Sequence, residues 1–189
     1  MKELSPTAEK IADLAESYIQ QRGFNGFSFR DIQNELGIKT ASIHYHFKTK
    51  QDLAAVVFER YLASYEAMLY QIDGRSINAK EKVDALADIF VSVREQDKLC
   101  LCGMYASDFY SLASGLEKLL SRFVQVNEQW LEKVIEQGIQ NGEFNSTIKA
   151  DNVARLIFVA LEGGMLLSQF KDADYIRAVK DSCLAMLEA

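Results

Sequence analysis

One proline, one tryptophan, two histidines and three cysteines in 189 residues are small allowances, and each scarcity removes a class of reading. Pro6, the single proline, sits ahead of the first helical stretch, where it does little harm. Cys100, Cys102 and Cys183 form no CxxC redox or metal pattern, and the first two point to different faces if they are helical. They are read as structural thiols; a reactive, electrophile-sensing cysteine and a disulfide are the alternatives, the last opposed by a reducing compartment. His44 and His46 stand two apart, which turns them away from a common metal on a helix, and neither lies in an HExxH setting. No metal site and no cofactor are expected. The chain also lacks a glycine-rich phosphate loop, a nucleophile elbow and a defined carboxylate pair, so no catalytic residue is assigned and enzyme activity is not indicated. No unbroken apolar run looks long enough to cross a membrane, and the acidic start MKELSPTAEK is not a positively charged leader. A cytoplasmic location without a membrane partner is the expectation.

What the chain does contain is a 49% hydrophobic composition, enough for an ordered globular fold. Its formal net charge of −6 is unevenly spread. Residues 1–50 hold seven lysines or arginines against six acids, and residues 51–189 hold fourteen against twenty-one. Within 28–50 the balance is four basic against two acidic. A weakly cationic face can meet phosphate locally while the acidic remainder discourages nonspecific wrapping.

That cationic stretch, SFRDIQNELGIKTASIHYHFKTK at 28–50, describes two short helices. Ser28 is placed to cap the first, with Asp31 three positions on as the acidic half of a capping box. Phe29, Ile32 and Leu36 recur at helical spacing, and Gly37 supplies a left-handed exit before Ile38 returns to the core. Thr40 is expected to cap the second helix, in which Ile43 and Phe47 point inward together. The opposite arc carries Ala41, Ser42 and Tyr45, with His44 and His46 at its edge. Small side chains near the helix start would let its backbone enter a major groove, and hydroxyl, methyl and imidazole groups can meet bases or phosphates. Lys48 and Lys50 add two cations that strengthen binding without reading sequence.

These residues, above all LGIKTASIHYHFKTKQDL at 36–53, resemble the TetR family of one-component bacterial transcription regulators. The resemblance is specific over residues 7–56 and architectural beyond them. It implies an all-α, TetR-like fold of about nine helices, with an N-terminal helix-turn-helix module at 1–52 and a larger effector-binding and dimerisation domain at 53–189. It also implies that Thr40, Ala41, Ser42 and His44 face the groove, and that Ser28, Tyr45, His46 and Lys50 contact phosphate. His44 stands where many members carry tyrosine.

The helical period continues to the end of the chain. Thr7 is expected to cap a helix running to Arg22, and a long helix follows over 51–72. Further helices are expected near 79–94, 99–112, 115–141, 148–169 and 172–187. Phe90, Cys102, Met104, Tyr105, Phe109, Phe123, Trp130, Phe158 and Met165 form a supply of adaptable apolar side chains. They line an effector pocket if they enclose space, and are ordinary core if they do not. In the closing helices, Val153, Ala154, Ile157, Ala160, Leu161, Gly164 and Leu167, followed by Ile176, Val179, Cys183 and Leu187, mix small and branched residues suited to close helix approach. Under the family resemblance they look like a four-helix dimer interface; an intrachain bundle would use the same chemistry. The expected protein is therefore a ligand-responsive repressor that binds a pseudopalindromic duplex operator as a homodimer and is released by a small aromatic or lipophilic effector. A cysteine-based redox sensor and a nonregulatory helical adaptor are the alternatives.

Overall fold

The computed structural model describes residues 4–112, 115–172 and 174–188, and these are helical throughout with short connections. Nine α-helices follow one another among them: α1 Pro6–Arg22, α2 Phe29–Leu36, α3 Thr40–His46, α4 Lys50–Asp73, α5 Ala79–Glu95, α6 Leu101–Ser107, α7 Leu116–Gln140, α8 Ala150–Leu167 and α9 Asp174–Glu188. Single 3-10 turns occupy Phe24–Gly26, Phe109–Ser111 and Ser168–Phe170. The all-α architecture expected from periodicity is the one present, with short N-terminal helices joined to a larger helical part. Of the sequence stretches read above, residues 1–3 of the acidic start and residue 173 of the last helix lie outside the described residues.

Three local expectations change. Ser5, not Thr7, caps α1, accepting from the Ala8 amide, because Pro6 at the first helical position needs no hydrogen-bond partner and has its φ already set. Lys39, not Thr40, occupies the N-cap of α3, and the Thr40 hydroxyl instead donates to the Gln33 side chain of α2. The stretch near 99–112 shortens to α6 and a 3-10 turn. The loop before α5 ends in a reciprocal cap: Asn78 accepts from the Glu81 amide at 2.8 Å and Glu81 accepts from the Asn78 amide at 2.9 Å.

The chain divides into two compact units, residues 1–63 with 101–120, and residues 64–100 with 121–189. In the first, α1 packs on α2, α3 and α6, and Ile11, Ile19, Phe24, Ile32, Ile43, Phe47, Leu53, Phe58 and Tyr105 are buried. In the second, α5, α8 and α9 pack on one another, and Phe90, Phe123, Leu131, Ile157, Leu161 and Ile176 are buried. Asn127, also buried there, accepts from the Tyr65 hydroxyl and donates to the Phe123 carbonyl, so its burial leaves little unsatisfied.

One helical stretch, Ala150–Phe170, is long and apolar enough by composition to cross a membrane, unlike the expectation from the sequence. In this fold 44% of its apolar 18-residue window is buried within the protein, with α5 and α9 packed against the helix. Gly37 ends α2 in the left-handed region, at φ 64°. An added Cβ would meet nothing within 4 Å, so the requirement there is conformational rather than spatial. Gly37→Ala is expected to cost about 1 kcal/mol of unfolding free energy in chemical denaturation.

Candidate nucleic-acid interface

The surface of the helix-turn-helix starts with how α2 is held. The Asp31 carboxylate accepts from the Ser28 amide at 2.7 Å and from the Ser28 hydroxyl at 2.6 Å, and these two bonds hold its pKa below the ordinary carboxylate value. Ser28 is exposed, but its hydroxyl hydrogen is engaged in the cap, leaving its oxygen lone pairs as the free feature. Gly37 then turns the chain, and Ile43 and Phe47 bury the inner side of α3.

The outer side of α3 is open. Thr40, Ala41, His44 and Tyr45 are exposed, and Ser42 and His46 are half-buried. Tyr45 is 85% exposed, a large aromatic surface with little covering it in this chain. The His44 ring packs edge-on against Phe29 at 5.1 Å, and its Nδ1 lies 3.2 Å from the Lys48 carbonyl. That pairing leaves Nε2 as the imidazole nitrogen available for a ligand. His46 packs edge-on to Tyr45 at 5.0 Å and also borders a cleft with Leu4, Asp52, Val56 and Arg60.

Lys50, half-buried, has its side chain engaged within the protein. Its ammonium donates to the Phe27 carbonyl and sits over the Phe24 and Phe27 rings, at 4.5 and 4.2 Å from their centroids. Burial lowers its pKa, and Asp108 and Asp31 pull it back up. The ammonium therefore braces the turn between α1 and α2, whereas Lys48 is exposed beside α3. Asp108, at the end of α6, engages the same turn: its carboxylate accepts from the Asn25 side-chain amide at 2.8 Å and from the Asn25 backbone at 3.4 Å. Ser111 accepts from the Asn25 side chain at 3.1 Å. Within α6 itself the buried Tyr105 hydroxyl donates to the Ala54 carbonyl of α4 at 3.0 Å. Asn25, Asp108 and Ser111 escaped sequence reasoning because polar residues more than eighty positions apart carry no periodic signal.

The residues read as a possible effector pocket are divided between the units. Cys102, Met104, Tyr105 and Phe109 belong to the first, where Tyr105 is core against Phe58 and Phe109 is 41% exposed on a 3-10 turn. Phe90, Phe123, Trp130, Phe158 and Met165 belong to the second. There Phe158 lies between Phe90 and Phe123, with ring centroids 6.5 and 6.2 Å away. Trp130 instead borders a shallow groove between α4 and α7 with Leu69, Tyr70 and Val126.

Of the closing-helix residues, Ala154, Ile157, Leu161, Gly164, Ile176, Cys183 and Leu187 are buried inside their own unit. Gly164 is small because Val179 and Ile176 lie against it, 3.1 to 3.2 Å from where a Cβ would stand. Val153, Ala160 and Val179 are half-buried, and Leu167 is exposed. The apolar face that remains uncovered runs through Leu156, Val159, Leu167 and Phe170, which are 53%, 58%, 52% and 82% exposed. It continues into a groove of about 410 Å³ lined by Leu156, Ala160, Tyr175, Ala178, Val179, Ser182, Cys183 and Met186. Sequence reasoning passed over Leu156, Val159, Phe170, Tyr175 and Met186 because α8 is apolar around most of its circumference, and its period does not separate two such faces.

A short helix presented on a three-helix core, with a glycine turn before it and a larger helical part following it in the chain, is a helix-turn-helix arrangement of the class that DNA-binding regulators use. The profile described as bacterial regulatory proteins of the tetR family matches residues 11–57, and that of the tetracyclin repressor-like C-terminal domain matches residues 79–182. The chain belongs to the TetR family. A TetR transcriptional regulator from Legionella pneumophila is 34% identical in sequence with a TM-score of 0.86, over 99% of this chain and 100% of that one. A TetR-family regulator from Agrobacterium tumefaciens is 26% identical with a TM-score of 0.90, over 96% and 97%. The HTH-type transcriptional repressor KstR2 of Mycobacterium tuberculosis is 25% identical over 150 residues, 78% of this chain and 74% of that protein.

Glu162 is the unusual charged residue of the second unit. It lies on α8 one turn after Phe158, and both carboxylate oxygens are buried without a hydrogen-bond partner of ordinary geometry. Burial pushes its pKa up to about 7, and the neighbouring Cys100 thiol pulls it down. A carboxyl whose pKa is raised on folding contributes stability that is complete below its ordinary value of 4.5 and lost as the pH climbs through about 7. Between pH 5 and pH 8 the native protein is expected to lose on the order of 2 kcal/mol more stability than Glu162→Gln, measured by denaturant titration at both pH values.

Proposed function

We propose that this regulator is a homodimeric, ligand-responsive cytoplasmic repressor that holds a pseudopalindromic operator through α3 of each copy. The observation that carries the reading is the exposed face of α3, where Thr40, Ala41, His44 and the 85% exposed Tyr45 stand beside the exposed Lys48. Thr40, Ala41, Ser42 and His44 read base edges. Ser28, Tyr45, His46 and Lys48 contact phosphate, and Lys50 acts by holding the turn on which this surface rests. Residues 1–52 serve as the reading module and 53–189 as the sensing and dimerising part, with α4 running from one into the other.

Dimerisation is supported by the uncovered apolar face of α8 and α9. A two-fold axis lets one such face cover its own copy, and Ala160 and Gly163 permit close approach where an added Cβ on Gly163 meets nothing within 4 Å. The interface then uses Leu156, Val159, Leu167, Phe170, Val179 and Met186. Two α3 helices related by that axis read half-sites about one helical turn, roughly 34 Å, apart. The KstR2 relative is described as a repressor, which favours repression over activation.

Release follows from how α6 is tied. Through Tyr105 to the Ala54 carbonyl, and through Asp108 to Asn25, a shift of α6 displaces the turn that supports α2 and α3. A small aromatic or lipophilic effector bound among Phe90, Phe123, Phe158 and Met165 favours the arrangement in which the two α3 helices no longer fit both half-sites. Its effect equals its difference in affinity for the two arrangements. The cysteine-sensing alternative draws less support, since Cys100, Cys102 and Cys183 are all buried and burial raises the Cys183 thiol pKa.

The test is selection of bound duplexes from fragmented genomic DNA of the source organism, followed by affinity measurement at several salt concentrations. A shared pseudopalindrome bound with steep salt dependence supports the reading, and absence of enrichment overturns it. Lys48→Ala is expected to lower affinity for all duplexes and reduce the log–log salt slope by about one for each lysine–phosphate pairing removed. Thr40→Ala and Ser42→Ala instead change the preferred bases, as repeated selection would show. Val159→Glu is expected to give a folded monomer by sedimentation, with circular dichroism unchanged and operator affinity reduced at least tenfold.

A further inference from the structure

We infer that Glu162 is the polar anchor of the effector site, and that it selects a lipophilic ligand carrying a cationic, hydrogen-bond-donating nitrogen. The inference rests on the proposed sensing role of the second unit and adds the chemical class of the ligand.

Position on α8 comes first. Phe158 and Met165, one turn to either side of Glu162, are buried, whereas Leu156, Val159 and Leu167 mark the uncovered side of the same helix. Glu162 therefore projects with the interior set and not with the proposed dimer face. Phe158 meets both Phe90 and Phe123 on that interior side.

Hydrogen-bond accounting comes second. Among the described residues of this unit, Asn127 is provided for by Tyr65 and the Phe123 carbonyl and Ser168 by Arg94 and the Met165 carbonyl, while the Trp130 indole N–H, a neutral donor bordering the groove of α4 and α7, is buried without a partner. Asp73 has one unbonded oxygen, but Lys82 and Lys133 stand at 3.6 and 3.2 Å from its carboxylate. Glu162 has both oxygens buried and no ordinary partner on either, and among its neighbours the Cys100 thiol is the group that favours its charged form. An ionised carboxylate in such surroundings is costly unless a counter-charge or donor arrives with the ligand. A core that needed only apolar filling would hold leucine or glutamine there at less expense. A ligand with an ammonium or amidinium head supplies the donors and the charge together, and its apolar body meets the aromatic rings.

The position also suits signalling. Cys100, beside Glu162, immediately precedes α6 in the chain, and α6 carries the Tyr105 and Asp108 attachments of the reading module. A cation drawn to the carboxylate thus acts next to the start of the helix that has to move.

The experiment compares ω-phenylalkylamines of graded length, from benzylamine to 6-phenylhexylamine, with the corresponding alcohols, by calorimetry on the full-length protein. In the native protein at least one amine is expected to bind tenfold or more tightly than its alcohol. Glu162→Gln should bring each pair to within twofold, and Glu162→Asp should keep part of the preference; circular dichroism confirms that both variants are folded. Equal affinity within every pair, no amine binding to the native protein, or an amine preference surviving in Glu162→Gln would each overturn the inference. Operator capture is read separately. Release of the operator by alcohols and amines alike leaves the repressor reading standing without Glu162, while loss of operator binding in the untreated native protein removes the repressor reading and leaves calorimetry to judge the anchor.

Discussion

A helix of seven residues has no stability of its own in water, because the cost of its first turn is not recovered over so short a length. The proposed reading surface is such a helix, and its existence depends on burying Ile43 and Phe47 where α1 and α2 pack against it. The polar face is displayed at the expense of that small apolar contact. The two properties need opposite sides of α3, which confines its exposed polar groups to one narrow arc. It also makes the orientation of α3 sensitive to anything that moves its base.

That base is held by atoms well away from the exposed face of α3. Lys50 fastens the Phe24–Gly26 turn through a carbonyl and two aromatic faces, while Asp108 holds Asn25 from the end of α6. Tyr105 makes α6 inseparable from α4 by putting a buried hydroxyl on the Ala54 carbonyl, a bond whose rupture would leave a polar group without water. Rigid attachment of this kind converts a local shift into rotation of the reading surface more effectively than a loose contact would. The polar bonds around Asn25 also exchange readily with water, so the joint can rearrange without exposing a large apolar area.

Much of this was legible in the sequence, and the limits of legibility have physical causes. The helices follow from a 3.6-residue apolar period, and Gly37 from the need for a positive φ at the end of α2. Ser28 with Asp31 announced a cap because that bond is local. The Lys50 cage was not legible, since its aromatic partners are more than twenty residues away and the KTK sequence reads equally well as two phosphate-binding cations. The same holds for the two faces of α8. Ile157 and Leu161 form a regular apolar series that serves the interior, and Leu156 and Val159 form another that does not, so composition alone could not assign either to a partner. Tyr105, read as a possible pocket residue, is equally instructive: an aromatic with a hydroxyl fits an effector site and a buried interhelical strut, and its bond to the Ala54 carbonyl, which supplies the second, has no signature in the sequence.

The contrast between Tyr105 and Glu162 separates structural polarity from poised polarity. Tyr105 is buried with its hydroxyl committed to a backbone carbonyl, so it contributes to one arrangement and has little to offer an incoming molecule. The Glu162 oxygens are buried with no hydrogen-bond partner of ordinary geometry beside the neighbouring Cys100 thiol, and in the proposed role that unmet cost is what a suitable ligand relieves. A sensor benefits from the second condition and a scaffold from the first. Selection for tighter packing alone would replace Glu162 by a residue that completes the core, and selection for signalling would retain the cost as differential affinity between the empty and occupied states. Under the proposed sensing role, the committed phenol resists rearrangement within its own unit, and the carboxyl supplies within the other unit the differential affinity that a ligand would use.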